Sequence, residues 1–368
     1  MVKLVTKMSN KESSSKYPQI EDDVKKLIFS EDIQPGDKLP SENELASKYH
    51  VSRQTVRKAL QNLQNEGYIY AVHGSGTFCS ELVRQRKHSK NIAVVMTYLS
   101  DYIFPKIIKG IDSVLTEEGY SIILKNTNNS RSKESECLED LLMKNVDGII
   151  IEPSKSHIFC KHTNLYKKLD EYNIPYIFIQ GSYSQMADKP QVLLDDEMGG
   201  YMLTEYLIKN GHKNIVGVFK SDDSQGQNRH KGYAKALKEA GIPYDPEKVI
   251  WFYTEDRKIH PYTGIIEMVK NDKNIDAVVC YNDQIAMSII KALSEIGIRV
   301  PEDISVTGYD NSQTASSTGL RLTTIVHPQE QLGEMAASML LKMIRGEQID
   351  HRVVISPELI EGNTVIKR

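Results

Sequence analysis

The sequence predicts an α/β protein in two unequal parts: a small head of three helices and a two-stranded hairpin, and a large body of doubly wound parallel sheets in two lobes. Three observations carry this. Between Tyr17 and about Ser80, three runs with helical apolar spacing precede two short strand-like runs. From Asn91 onward, strand-like runs alternate with helical stretches along the rest of the chain. Body strands such as Gly148-Ile149-Ile150-Ile151 are continuously apolar rather than alternating, as strands covered on both faces are.

The chain has 368 residues, 40% hydrophobic and 26% charged, which suits two or three domains with proper cores. No apolar run reaches the ~20 residues that span a bilayer. Met1 to Lys16 is polar and lysine-rich, without the apolar core of a signal peptide. Cys79, Cys137, Cys160 and Cys280 are far apart and show no paired spacing, as in a reducing compartment. The expectation is a cytoplasmic protein with no membrane partner, no metal and no cofactor. The net charge of -3 hides an asymmetry: residues 1–88 hold 14 Lys/Arg against 11 Asp/Glu, or +3, leaving -6 elsewhere. A mildly basic head on an acidic body suits a protein that offers only its head to phosphates. So small an excess carries little by itself.

In the head, residues 1–16 show no periodic apolar pattern and read as disordered. Ile20, Val24, Leu27 and Ile28 then follow helical spacing, and Pro35-Gly36 marks a turn. Ser41 caps a second helix with Glu44 at its third position, a capping box. Ser52 caps a third helix, which carries Val56, Ala59, Leu60 and Leu63 and ends at Gly67. Tyr68–Val72 and Thr77–Cys79 read as strands joined by the tip His73-Gly74-Ser75-Gly76. Residues 81–90, with Arg84, Arg86, Lys87 and His88, read as a linker, so the expected division is 1–80, 81–90 and 91–368.

In the body, strands are expected at 91–97, 120–125, 147–151, 175–180, 192–194, 214–219, 248–253, 276–281 and 304–308. Helices fill the gaps at about 104–118, 133–145, 162–172, 197–210, 228–240, 260–271, 283–296 and 328–345, many of them stopped by a glycine. A body this long exceeds one such sheet. Two lobes with a cleft are expected, one of about 91–194 with 324–347 and one of about 195–323 with 348–368.

The third helix of the head is the candidate DNA reader. Its first turn displays Ser52, Arg53, Gln54 and Thr55 while Val56, Ala59 and Leu60 face inward. Arginine can grip guanine and glutamine can grip adenine in bidentate fashion. The helix N-termini at Ser41-Glu42 and Ser52 can hold phosphates, and the small polar tip at His73-Gly74 can enter a minor groove. From Tyr17 to Phe78 the sequence resembles the GntR family of bacterial regulators. The motifs are Pro35-Gly36-Asp37-Lys38-Leu39-Pro40-Ser41-Glu42, Val51-Ser52-Arg53-Gln54-Thr55-Val56-Arg57, Glu66-Gly67-Tyr68 and Gly74-Ser75-Gly76-Thr77-Phe78. The resemblance implies a winged helix-turn-helix in which Ser52, Arg53, Gln54, Thr55 and Arg57 meet DNA from the reader helix. His73 and Gly74 would do so from the wing, and Lys16 from the start of the first helix. The plainer reading of Arg57 and Lys58 is a solvated helix face.

Ligands of open α/β sheets bind beyond the carboxyl ends of the strands. A sugar there needs polar groups for its hydroxyls and an aromatic face for its C–H side. Strand ends offer Tyr98, Asp101, Tyr102 and Phe104; Glu152; Gln180 and Tyr183; Trp251 and Tyr253; Asn282; Asp310; and His327. Residues 91–366 resemble the effector domain of the LacI/GalR family, whose fold is periplasmic-binding-protein-like. The segments include Val146-Asp147-Gly148-Ile149-Ile150, Cys280-Tyr281-Asn282-Asp283-Gln284, Val300-Pro301-Glu302-Asp303-Ile304 and Val306-Thr307-Gly308-Tyr309-Asp310. By that resemblance Arg229, Asn282 and Asp310 grip hydroxyls and Trp251 walls the pocket, while His327 stands where the family often has another polar residue. A lone Trp is as readily core, and Asn282 doubles as a helix cap. Asp195-Asp196-Glu197 reads as a helix start, where carboxylates suit the dipole.

Together the two resemblances imply a homodimeric repressor of sugar-utilisation genes, with operator DNA and a small sugar as partners. The uncommon pairing of head and body implies L-arabinose as the sugar. A sugar-metabolising enzyme and a sugar-binding transport protein are the rivals. Against the first stands the lack of a phosphate-cradling glycine loop, a metal-spaced His/Cys set or a nucleophile motif; against the second stands the DNA-reading head.

Overall fold

The computed structural model describes residues 16–29, 33–80, 89–99, 102–312 and 319–368. The expected disordered start, the Lys16 and Asp101 side chains and the linker residues 81–88 lie outside the described residues.

The head is built as its patterning predicts. Helices α1 (Lys16–Phe29), α2 (Glu42–Tyr49) and α3 (Arg53–Asn65) are followed by the hairpin β1 (Ile69–Val72) and β2 (Gly76–Cys79). Ile20, Val24, Leu45, Val56, Ala59 and Leu63 close its core. The Ser41 capping box forms, with the Glu44 amide donating to Ser41 Oγ at 3.3 Å and the Ser41 amide donating to the Glu44 carboxylate at 2.7 Å. Ser52 caps α3 through the Thr55 amide at 3.2 Å. Antiparallel pairing runs from Ile69↔Cys79 to Val72↔Gly76, and the tip turns on Gly74 and Gly76, at φ 77° and 119°.

The body elements are β3 (Asn91–Met96), α4 (Phe104–Glu117), β4 (Ser121–Asn126), α5 (Arg131–Met143), β5 (Gly148–Ile151), α6 (Thr163–Glu171), β6 (Tyr176–Ile179), β7 (Gln191–Leu194), α7 (Asp196–Lys209) and β8 (Ile215–Lys220). They continue with α8 (Ser224–Glu239), β9 (Val249–Phe252), α9 (His260–Asn271), β10 (Ala277–Cys280), α10 (Asp283–Glu295), β11 (Ser305–Thr307), β12 (Thr324–Val326), α11 (Gln329–Ile344), β13 (Arg352–Ile355) and β14 (Glu358–Ile360). One sheet has the order β13-β7-β6-β5-β3-β4 and another β11-β10-β8-β9; β12 and β14 form a short antiparallel ribbon. Within the two large sheets, β10 pairs in parallel with β11 and β8, β8 with β9, β13 with β7, β7 with β6, β6 with β5 and β5 with β3. Strand order reverses between β3 and β5 in the first sheet and between β8 and β10 in the second. Those two switch points are where a doubly wound sheet opens a crevice for a ligand. The described residues form two compact units, one of those up to 91 with 141–147 and 164–175, the other of those within 92–140, 148–163 and 176–368.

Two expectations change. The sequence places residues 348–368 in the second lobe, but within them β13 pairs with β7 in the first sheet, Val353 opposite Val192. The helix expected from 228 begins at Ser224, because Asp223 accepts the Gly226 amide at 2.8 Å and caps it early. The first turn holds Gln225, Gly226 and Gln227, which give no apolar signal. Among the described residues no helix is long and apolar enough to cross a membrane.

Candidate functional site

On the head, the start of α3 presents a polar face. Arg53 and Gln54 are exposed, Ser52 Oγ lies 2.9 Å from Thr55 Oγ1, and the wing residues His73 and Gly74 are exposed. Arg57 is exposed but not loose: its Nε and Nη2 donate to the two Glu42 oxygens at 3.1 and 2.9 Å. That fork, the largest cause, holds the Glu42 carboxyl below its ordinary range. The Arg57 side chain stays 69% exposed, so it faces solvent while paired with Glu42 on α2. Arg53 is exposed on the first turn of α3. Arg53→Ala is expected to erase discrimination at one base pair, about tenfold or more in affinity ratio, with the fold intact. Anisotropy titrations on operator variants read this, and equal discrimination by the variant would contradict it.

In the body, a cavity of about 90 Å³ opens at the carboxyl ends of both parallel sheets, at their two switch points. Its first-lobe wall carries Thr97, Tyr98, Tyr102, Phe104, Asn129, Glu152 and Gln180. Its second-lobe wall carries Lys220, Asp223, Arg229, Phe252, Arg257, Tyr281 and Asn282, and the crossing segments add Asp310 and His327. Glu152 accepts the Thr97 amide at 2.8 Å, Thr97 Oγ1 at 2.5 Å and Gln180 Nε2 at 3.4 Å. Burial nonetheless pushes its carboxyl up to about 7. Gln180 sits at φ 65°, with the Gly181 amide donating back to the Ile179 carbonyl at 2.7 Å. This is a tight turn with positive central φ, a strained form that the wall holds in place.

His327 Nε2 donates to Gln180 Oε1 at 2.6 Å. Burial drives the imidazole down to about 3, so it stays neutral, and Nδ1 is left as a buried acceptor without a protein partner. Arg229, 5% exposed, donates from Nε to Asp196 at 2.8 Å and from Nη1 to the Tyr281 carbonyl at 2.6 Å. Its guanidinium centre lies 3.5 Å from the Tyr309 ring centroid. Tyr102 donates its hydroxyl to Asp310, whose carboxyl burial pushes up to about 7. Asn282 caps α10 through the Ile285 amide at 3.0 Å and still lines the cavity. Lys220 pairs with Asp223 at 3.0 Å, and Tyr281 donates its hydroxyl to Asp223 at 2.7 Å. The cavity thus offers hydroxyl donors and acceptors of both charges beside the rings of Tyr98, Phe104, Phe252 and Tyr281. That is the chemistry of a polyhydroxylated ligand.

Of the residues expected at the cavity, Tyr98, Tyr102, Phe104, Glu152, Gln180, Arg229, Asn282, Asp310 and His327 line it. Trp251, Tyr253 and Tyr183 do not. Trp251 packs on Phe219 and His230, with ring centroids 6.1 and 4.7 Å away, and Tyr253 is exposed. Their neighbour Phe252 supplies the aromatic wall instead, because successive strand residues face opposite ways. Tyr183 is fully buried, with its hydroxyl within hydrogen-bond reach of Glu134 at 2.9 Å and of the Ser154 carbonyl at 2.8 Å, a first-lobe core role. Asp196 is not just a helix start: Asp195 caps α7 through the Met198 amide, and Asp196 holds Arg229. Sequence reasoning missed Asn129, Lys220, Asp223 and Arg257. The charged run Lys220-Ser221-Asp222-Asp223, directly after an apolar strand, was the signal for two of them.

Residues 16–79 match the family model for bacterial regulatory proteins of the gntR family, and residues 204–365 match the model for a periplasmic binding protein-like domain. The chain is 39% identical over 359 residues to the arabinose metabolism transcriptional repressor of Halalkalibacterium halodurans, covering 94% of this chain and 95% of that one. It is 38% identical over 354 residues to the protein of the same name from Geobacillus stearothermophilus, covering 95% and 97%. A solved LacI family transcriptional regulator from Enterococcus faecium with bound ribose superposes with a TM-score of 0.65 at 26% identity, covering 76% of this chain and 99% of that one.

Proposed function

The chain belongs to the family of arabinose metabolism transcriptional repressors, and from that premise we propose that L-arabinose is its effector and that sugar binding releases a homodimer from a palindromic operator. It is a DNA-binding repressor with a sugar-responsive body and not an enzyme. The observation that carries the effector reading is the cavity at the two switch points. There Arg229, Asn282, Asp310, Glu152 and the unpartnered Nδ1 of His327 converge beside aromatic rings. The relatives' names supply the sugar, and the ribose-bound neighbour shows that this fold accommodates a pentose.

In this reading Ser41, Glu42, Ser52, Arg53, Gln54, Thr55, Arg57, His73 and Gly74 form the DNA face, with Lys16 adding a phosphate contact. Two heads on a dimer match two half-sites. Sugar favours the lobe arrangement in which both walls touch it, and DNA favours the other. The effect is therefore bounded by the sugar's differential affinity for the two states. The protein acts in the cytoplasm, where both partners meet it.

The test is fluorescence anisotropy of the full chain on its operator, titrated with L-arabinose, D-ribose and D-xylose. L-arabinose is expected to weaken operator binding by about tenfold or more, a coupling of ~1–3 kcal/mol. Operator affinity that ignores L-arabinose would overturn the effector assignment. Analytical ultracentrifugation checks the dimer.

A further inference from the structure

The segment after β9, residues 253–258, leaves the second lobe and reaches the first at three points. Thr254 accepts from Asn129 Nδ2 at 2.7 Å. Glu255 pairs with Lys155, whose ammonium also lies 3.5 Å from the buried carboxylate of Asp222. The Arg257 guanidinium stands 4.4 Å from the Tyr98 ring centroid. Both ends of these contacts are held. Asn129 is buried and accepts the Lys155 amide at 2.7 Å, while the Thr254 amide donates to Asp222 at 3.2 Å. Within the segment, the Tyr253 amide donates to the Asp256 carboxylate at 2.6 Å, which closes a turn just before Arg257. Arg257 and Tyr98 both line the cavity, so their stacked pair is part of its outer wall.

We propose that residues 253–258 are a strap that limits the effector to a single sugar ring, with Arg257 as the size-determining residue. The inference rests on the reading of the cavity as a sugar site. The cavity is small, about 90 Å³, and Arg257 stands in its wall. On this proposal one monosaccharide ring occupies the cavity, and a second glycosidic ring on the side of the strap meets the Arg257 plane. Arginine suits this post because its flat guanidinium covers the Tyr98 ring at the cavity wall.

The experiment is isothermal titration of the full chain with paired ligands: L-arabinose and arabinobiose, D-xylose and xylobiose, D-glucose and cellobiose. Wild type is expected to bind at least one monosaccharide and to bind its disaccharide at least about a hundredfold more weakly, a gap of ~2.7 kcal/mol. Arg257→Ala should narrow that gap by about tenfold or more, chiefly through tighter disaccharide binding, with Arg257→Lys in between. Melting curves of both variants within a few degrees of wild type show that the fold is kept. Equal affinity of wild type for a monosaccharide and its disaccharide overturns the strap, as does an unchanged gap in Arg257→Ala. If L-arabinose fails but another monosaccharide binds with the same gap, the effector assignment falls and the strap stands. If no sugar of either size binds, both fall.

Discussion

Arg229→Ala is expected to destabilise the body by about 3–5 kcal/mol, because it leaves one member of a buried ion pair uncompensated. The side chains of Arg229 and Asp196 are 6% and 5% exposed, with 2.8 Å between Nε and Oδ1. Burial, the first cause, already raises the Asp196 carboxyl, and the arginine works against that rise. Without Arg229, Asp196 must take up a proton or stay charged away from water. The same substitution also frees the Tyr281 carbonyl and strips the cation from the Tyr309 face. Sugar response should vanish with it, since Arg229 lines the cavity and fastens α8 to α7 and to the end of β10. The double variant Arg229→Met with Asp196→Leu separates the two roles. Well-packed apolar residues of similar size can replace a buried pair at little cost, so stability should largely return while sugar binding does not. Urea unfolding midpoints and titration calorimetry check both parts. Arg229→Ala within ~1 kcal/mol of wild type, the range of an ordinary surface change, would contradict the account.

The head was legible almost residue by residue because its signals are local. Ser41 with Glu44, Ser52 with Thr55, and Gly67 at φ 77° each fix a helix end through atoms a few residues apart. The long helices of the body were equally plain: Gly119, Gly211, Gly241, Gly297 and Gly346 all take positive φ where helices were expected to stop. What escaped is short and depends on distant partners. Strands β12, β13 and β14 have three or four residues each, and their pairing partners are Leu359, Val192 and Ile325 rather than sequence neighbours.

The cavity follows the same division. Placing ligand groups at strand ends found Glu152, Asn282 and Asp310, because the end of a parallel strand is visible in sequence. It chose wrongly between Trp251, Phe252 and Tyr253, because one residue of register decides which ring faces the crevice. Residue size favoured Trp; geometry favoured its neighbour. Asn129 and Arg257 belong to different lobes and meet the ligand space only when the two walls stand opposite each other. No local pattern carries that information. Gln180 was found as a strand-end amide, yet its positive φ, which aims it at both Glu152 and His327, has no sequence mark.

Sugar affinity is expected to fall as pH drops from 7.5 to 5.5, on the order of tenfold for each carboxylate that must be ionised, Glu152 and Asp310. Burial holds both carboxyls up at about 7 in the ligand-free protein. A sugar hydroxyl donating to a carboxylate favours the charged form, so binding lowers these values and releases protons near neutrality. The folded protein without sugar should show the opposite trend. A carboxyl whose folded value lies above its unfolded value of about 4 contributes stability that is fully present below about 4 and is lost as pH rises through about 7. Between pH 5 and pH 8 these two groups therefore stabilise the empty protein at the acid end and the sugar complex at the alkaline end. Asp283, raised to about 6 chiefly by burial, adds to the acid-side stability. It binds Thr324 at 2.8 Å and the Ser312 amide at 2.6 Å and, unlike Glu152 and Asp310, does not line the cavity, so it has no part in the binding trend. Titration calorimetry in buffers of different ionisation enthalpy reads the proton release, and the sugar-induced rise in melting temperature should shrink on acidification. Glu152→Gln should flatten part of the profile. An affinity constant across this range, with no proton released, would show that the sugar makes its contacts elsewhere on the wall.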